Sequence, residues 1–536
     1  MVKDDQKSAG LTAQRAPAVA SRSSSFRLTA LVLTVVSLAT ATGFWAASWR
    51  HKPDPVPQGR TVRGYRDWPK PDVAIVLSGE LHGYLQPCGC SEPQKGGLAR
   101  RYNLIQSLIK DRGWPVVAAD LGDLAQANGP QALLKYRYAM EGLQKLRYTA
   151  IGVGTNETTL PLLSALGEFA LNNPTPRVLA ANLHNMEKDY PGMVKSIETS
   201  AGENGVPRVT FVSVIGPSVA KQMQENDHSL QFDPVEKTLE ALLPEIQKTK
   251  AEVRVLLYEG SEEEAKAYVV AAQNSPQKLP EFQIVVWLSG DQEPSMKPEQ
   301  IGDSLLLSVG HKGQYVGIVG YYGQGSPFRY DLVALNPEFE TPEGHDQDNP
   351  LHALMQKYAQ EVRDENYLAK YPHNAKHPVQ IAFPASTYVG SEKCKKCHDF
   401  AYDVWKNSAH FHAFEALTVK AKRPTLRQFD GECVRCHVTG FGLEGGFVSE
   451  EKTPLLKNVG CESCHGPASL HVKNPNDEKI RAAINPLKAK KGEDPIRVAN
   501  RIDYACQTCH DLDNSVHFKF EEYWEKKNIV HNTPKE

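Results

Sequence analysis

Four times between residues 394 and 510 the chain repeats one five-residue pattern, two cysteines three apart with a histidine directly after the second. The copies are Cys394-Lys-Lys-Cys397-His398, Cys433-Val-Arg-Cys436-His437, Cys461-Glu-Ser-Cys464-His465 and Cys506-Gln-Thr-Cys509-His510. This spacing attaches a c-type haem. Two thiols add across the vinyl groups of one porphyrin, and the adjacent imidazole becomes an axial ligand of its iron. Of the 10 cysteines, eight belong to these motifs. Zinc takes four ligands from paired Cys-x-x-Cys units, yet gives no role to a histidine after every second cysteine. A disulfide framework ignores those histidines as well. Four covalent haems are therefore expected, and residues 385–536, poor in long apolar runs, are expected to use them as their core.

At 536 residues the chain exceeds one ordinary domain. A net charge of -2 gives no global field for nucleic acid. Residues 1–27 carry Lys3, Lys7, Arg15, Arg22 and Arg27 and read as a basic cytoplasmic tail. Residues 28–49 have no charged side chain. As a helix that segment reaches about 33 Å, enough to cross a bilayer core. Basic residues before it, with Trp45 and Trp49 near its far end, orient the N-terminus inside. The expectation is a membrane anchor with the bulk on the periplasmic side. Ala39-Thr40-Ala41 offers the alternative, signal-peptide cleavage and release to the periplasm. Residues 50–71, with Pro53, Pro55, Pro57 and Pro69, read as a linker.

Residues 72–335 alternate short apolar runs with helical spacing. Strands are expected at 72–78, 115–119, 148–153, 177–181, 209–215, 253–258, 283–288, 305–309 and 315–321, and helices at 97–111 and 131–145. Such alternation argues for an α/β layer architecture. Residues 336–384, Pro-rich at both ends, read as a connector with a helix at 350–365. Residues 385–536 form the haem domain.

Within the α/β part, Glu80-Leu-His82-Gly-Tyr84-Leu-Gln-Pro87-Cys88-Gly and Gly96-Gly97-Leu98-Ala99-Arg100-Arg101 resemble the opening of the 5′-nucleotidase-type calcineurin-like metallophosphoesterases. Leu121-Gly122-Asp123-Leu124, Gly154-Thr155-Asn156-Glu157 and Leu179-Ala-Ala-Asn182-Leu183 follow in that family's order. The resemblance implies a layered sandwich and a two-metal site. The carried-over ligands are His82 and Asp123, with Glu80 in place of an aspartate. Thr155 and Asn156 stand where the bridging Asn and catalytic His belong. Tyr258-Glu259-Gly260 and Ser289-Gly290-Asp291-Gln292 replace the later His loops. Two metals need about six well-placed ligands, so ordinary phosphoesterase activity is not expected. A single divalent metal on His82, Asp123 and Glu80, with Asp291 or Glu259, is the remaining metal reading. Cys88 and Cys90 have three readings: thiolate ligands to a soft metal, a strained redox disulfide, or two small buried residues.

The haem part is similar to the tetraheme cytochrome c-554 family. The residues that carry this are Tyr388-Val-Gly390-Ser391 before the first motif and Trp405-Lys-Asn-Ser408-Ala-His410-Phe-His412 after it. Thr439-Gly440-Phe441, Asn458-Val-Gly460 and Gly466-Pro467 flank the second and third motifs, and Asn514-Ser515 follows the fourth. The resemblance implies electron transfer through stacked haems, most bound by two histidines and often one with an open position. Candidate distal ligands are His410, His412, His471 and His531, with His517 a weaker one. The expected fold class is thus multidomain, a metallophosphoesterase-like α/β sandwich plus a mainly α multihaem cytochrome c domain. The expected function is electron transfer with redox partner proteins, the sandwich docking a partner or shielding a haem edge. The alternatives are a redox enzyme acting on a small nitrogen compound at an open haem, or a residual phosphoester hydrolase.

Overall fold

The computed structural model describes residues 64–87, 94–160, 162–169, 175–185, 194–289, 293–323, 325, 328–485, 505–511, 514–515 and 518–525. The alternation in the α/β part folds into two stacked sheets. The first runs Arg329–Ala334, Tyr315–Tyr321, Val73–Ser78, Val116–Asp120, Ala150–Ile151, Arg177–Leu179, Val194–Lys195. Its central strand Val73–Ser78 is parallel to Val116–Asp120 and antiparallel to Tyr315–Tyr321, with Ile75 opposite Val117 and Val319. The second runs Glu299–Ile301, Ser304–Leu307, Ile284–Trp287, Val253–Glu259, Val209–Ile215, Ile197–Thr199. Its four inner strands are parallel.

Strand alternation assigns the layers, because successive side chains point to opposite faces. Val73, Ile75 and Leu77 meet Phe211, Val255, Leu257 and Val286 between the sheets. Ala74 and Val76 face the other way, into a core shared with the helices Leu98–Gln106 and Ala132–Lys145. Val212, Val214 and Leu256 pack on Val235–Lys248 and Glu262–Asn274. The result is a helix–sheet–sheet–helix sandwich. With both faces covered, the inner strands read as continuous apolar runs; every residue of Val73–Ser78 is buried.

The helix expected near 350–365 is Pro350–Asp364, started by Asn349, whose Oδ1 accepts from Leu351 N at 3.0 Å. Its Leu351, Leu354, Met355 and Tyr358 join the same core as Leu98 and Leu143. It is built onto the sandwich rather than spaced from it.

Beyond it the fold is mainly helical and made of short pieces, Asp399–Lys406, Ala413–Thr418, Gly431–His437, Cys461–His465, Ser469–Lys473 and Glu478–Ala483. Two of them, Ala413–Thr418 and Gly431–His437, meet in a small apolar cluster of Leu368, Phe414, Leu417, Val434, Val438, Phe447 and Leu456.

The membrane reading is corrected. Among the described residues no helix is long and apolar enough to cross a membrane. Pro350–Asp364, an amphipathic helix of 15 residues, reaches only about 22 Å, short of the roughly 30 Å hydrocarbon core. The tail, the apolar segment 28–49 and the linker up to residue 63 lie outside the described residues. Membrane anchoring through a helix, and the location inferred from it, are withdrawn.

Candidate functional site

Each attachment motif occupies a helix or turn that its neighbours hold in place. The second lies on Gly431–His437, begun by Asp430, whose carboxylate accepts from Glu432 N at 3.0 Å. The third lies on Cys461–His465. Its Glu462, 2% exposed, accepts N–H groups from Val389, Gly390 (2.7 Å) and Ala468 (2.9 Å). Ser391 Oγ accepts from Cys461 N at 3.0 Å, and Thr439 Oγ1 from Gly460 N at 3.0 Å. The third motif is thereby stitched to the chain just before the first and just after the second. Gly460 permits this approach, since a Cβ there would lie 2.6 Å from Ser391 Oγ.

The motif thiols meet in pairs from different motifs, Cys394 with Cys461 and Cys436 with Cys509. None of the eight forms a disulfide. The imidazoles are set with equal care. His437 Nδ1 donates to Ala413 O at 2.5 Å and His465 Nδ1 to Ile484 O at 2.8 Å. His510 Nδ1 lies 2.9 Å from Ser515 Oγ. A partner at Nδ1 fixes the tautomer that leaves Nε2 to a metal.

Two candidate distal histidines face motif histidines. The ring centroids of His471 and His398 lie 6.2 Å apart, with planes at 27°. His410 faces His510 at 6.1 Å and 54°. An iron held between two imidazole nitrogens, each at about the 2 Å usual for a metal–imidazole bond, sets the ring centres roughly 6 Å apart. Burial lowers the pKa of His410, His437, His471 and His510, the neighbouring His510 adding to it for His410 and His398 for His471. Low pKa favours the neutral, ligating imidazole. The residues present fit a haem iron. His412 is placed differently: its side chain is 49% exposed, and Nδ1 pairs with Glu415 Oε2 at 3.0 Å. His517 and His531 lie outside the described residues.

In the sandwich, Glu80, His82 and Asp123 sit on adjoining turns, all at positive φ (49°, 50° and 54°). Left-handed backbone in non-glycine residues marks a site whose surroundings hold it there. His82 Nε2 lies 3.7 Å from Asp123 Oδ2, and its ring lies 5.9 Å from that of His311. The carboxylates lie near one another and add to the rise that burial gives the pKa of Glu80, Glu157 and Glu259, but three of them are taken up by backbone N–H groups. Glu80 accepts Ser289 N (2.7 Å), Asp123 accepts Asn156 N (2.7 Å), and Glu157 accepts Ala125 N (2.9 Å) and Gly154 N (2.8 Å). Glu259 is fully buried, and both its carboxyl oxygens are without a hydrogen-bond partner among the described residues. Among the described residues no three His, Cys, Asp or Glu side chains form a group that holds a metal ion. They do not fit the phosphoesterase metal pair. Cys88, Cys90 and Asp291 lie outside the described residues.

Residues 393–466 match the family described as cytochrome c554 and c-prime. The C-terminal region is cytochrome c554-like. Over 139 residues the chain is 34% identical to cytochrome c-554 of Nitrosomonas europaea, covering 23% of this chain and 57% of that protein, little more than half the relative's length. The reduced-state structure of that organism's cytochrome c554 is similar at 28% identity, over 27% of this chain and 86% of that one, with a TM-score of 0.21. The sandwich is similar to the 5′-nucleotidase precursor of Thermus thermophilus at 18% identity, over 57% of this chain and 61% of that one, with a TM-score of 0.43.

Beside the cytochrome c554-like region the structure brings up residues that sequence reading passed over. Gln126, Gln131 and Lys135 of the sandwich meet Asp430 and Glu432 at the start of the second motif helix. The Asp-Gly-Glu run before Cys433 was the available signal, since aspartate there reads as a helix cap. His311 carried no signal beyond a neighbouring glycine.

Proposed function

We propose that the protein carries electrons through four covalently attached haems, and that the sandwich serves the cytochrome c554-like region as a seat rather than as a hydrolase. Cys394, Cys397 and His398 hold the first haem; Cys433, Cys436 and His437 the second; Cys461, Cys464 and His465 the third; Cys506, Cys509 and His510 the fourth. Bound haem supplies one ferric/ferrous couple per iron. The chain's part is to anchor, orient and wrap it. With haem bound, His471 would hold an iron together with His398, and His410 together with His510.

The observation that carries this reading is the pair of facing imidazoles at 6.1 and 6.2 Å, each joining a motif histidine to one outside the motifs. Two strong nitrogen ligands favour the low-spin state in both oxidation states, so little rearrangement accompanies electron gain. The meeting of first-motif with third-motif cysteines, and of second with fourth, supports haems close enough in space to exchange electrons.

The test is haem content by pyridine haemochrome with low-temperature EPR of the oxidised protein. Four haems per chain are expected. His471→Ala and His410→Ala are each expected to convert one low-spin signal to high-spin while keeping four haems. Fewer than four haems, or spectra unchanged by both substitutions, would sink the assignment. A high-spin signal already present in the unaltered protein would instead favour the reading with an open, ligand-binding haem.

A further inference from the structure

The turns that hold His82 and Asp123 pack directly against the residues that grip the second attachment helix. His82 N donates to Asp123 O at 2.9 Å and Gly83 N to Leu124 O at 2.8 Å. A Cβ on Gly83 would lie 2.8 Å from Gln126 Cβ and 3.3 Å from Lys135 Cδ. From there the contacts cross to the cytochrome c554-like region. Lys135 Nζ pairs with Glu432 Oε2 at 2.5 Å, its side chain only 10% exposed, and Gln126 Nε2 donates to Glu432 Oε1. Gln131, fully buried, donates to Asp430 Oδ1 at 3.1 Å and to Tyr358 OH at 2.6 Å. Tyr358 OH donates in turn to Asp430 Oδ2 at 3.4 Å, and Tyr371 OH to Gln131 Oε1 at 2.7 Å. The fit is close: a Cβ on Gly431 would fall 2.4 Å from Tyr371 Cε2.

Asp430 caps this helix, and Glu432 directly precedes Cys433. Two carboxylates thus stand at the head of the second attachment motif, and the cation beside them comes from the other part of the molecule. We propose that Lys135 is a positioning residue for the second haem, holding the Asp430–Glu432 end of its attachment helix and balancing the Glu432 charge next to Cys433. This rests on the four-haem reading above. It gives the sandwich a defined task, control of one haem out of four.

The sign of the effect follows from electrostatics. Reduction removes one positive charge from the iron, so an uncompensated nearby carboxylate favours the ferric state and lowers the potential, and a nearby cation raises it. Salt screens the pair in part, since the Glu432 side chain is 35% exposed while that of Lys135 is 10% exposed.

The experiment is a spectroscopic redox titration of the haem-loaded full chain and its variants, with haem content measured on each. Lys135→Met is expected to lower the midpoint of one haem. Glu432→Gln is expected to raise the midpoint of that same haem, and the double variant to return it close to the starting value. Lys135→Arg should behave like the unaltered protein. His437→Met identifies the second haem by the titration wave it displaces. A merely structural role gives shifts of one sign, or shifts spread over several haems, and either result would overturn the proposal, as would unchanged midpoints in both single variants. If Lys135→Met fails to load haem, Glu432→Gln alone decides, since it must raise one midpoint. A haem count below four in the unaltered chain sinks the four-haem reading instead, and is seen separately from the midpoints.

Discussion

Produced without haem, the chain is expected to keep its α/β sandwich and to lose the structure of its cytochrome c554-like region. The contrast lies in what each part buries. The sandwich has three apolar layers, and its strand Val209–Ile215, like Val73–Ser78, is buried along its whole length. Among the described residues, the cytochrome c554-like region contributes to one small cluster, with Phe414, Leu417, Val434, Val438, Phe447 and Leu456 packed on Leu368. Its helices run from five to eight residues, for example Cys461–His465 and Asp399–Lys406. Isolated helices under about 12 residues are marginal in water. Phe400 (45% exposed), Val419 (76%), Leu455 (65%) and Val472 (43%) leave apolar surface uncovered by protein. Cytoplasmic expression without haem attachment, followed by limited proteolysis and mass spectrometry, reads the outcome. Early cuts are expected between residues 394 and 483, with a resistant fragment ending beyond Asp364. The helix Gly431–His437 should be cut last of the attachment helices, because Lys135 and Gln131 hold it. A resistant C-terminal region in the haem-free chain would show that the polypeptide alone specifies it.

What could be read in advance follows the same division. The four Cys-x-x-Cys-His repeats stand out in the sequence because covalent haem attachment would demand a fixed local spacing, whatever the fold around them. The strands at 73–78, 209–215, 253–259 and 315–321 are legible because burial on both faces makes each a mostly apolar run. The edge strand Glu299–Ile301 has too few apolar residues to register, two of its three being exposed. Helix Leu98–Gln106 was expected to run to 111 and instead widens into a π turn at Ser107–Asp111. Candidate distal ligands are legible by type only. His410 and His412 are nearly equivalent in sequence, and only tertiary packing brings His410 to His510 while leaving His412 with Glu415. Lys135 is the extreme case. A lysine in a helix reads as a solvated charge, and the partner that buries it lies almost three hundred positions away.

Raising the pH from 5 to 9 is expected to destabilise the sandwich, and Glu259→Gln is expected to remove part of that loss. Burial pushes the Glu259 carboxyl well up, with Asp123, Glu157, Glu80 and Asp120 adding to it. Glu157 is pushed up to about 8, again mainly by burial and then by Asp123, against the N–H groups of Ala125 and Gly154. Burial also raises Glu80, Ser289 N–H opposing it and Asp123 adding. In the folded chain these carboxyls therefore keep protons that the unfolded chain has already released. Between the unfolded value near 4.5 and the raised folded values, the native state binds more protons, so stability falls as pH rises. Each group costs about 1.4 kcal/mol per pH unit across that window. Below it both states are protonated and these groups contribute no slope. Denaturant unfolding followed by far-UV circular dichroism at several pH values measures the trend. Glu259→Gln, a neutral isostere, should match the unaltered chain near pH 5 and exceed it near pH 8. Stability that stays flat or rises toward pH 9, or a Glu259→Gln loss equal at every pH, would mean that Glu259 is ionised and held by a cation. That result would restore to this site the charge chemistry that its described side chains do not arrange.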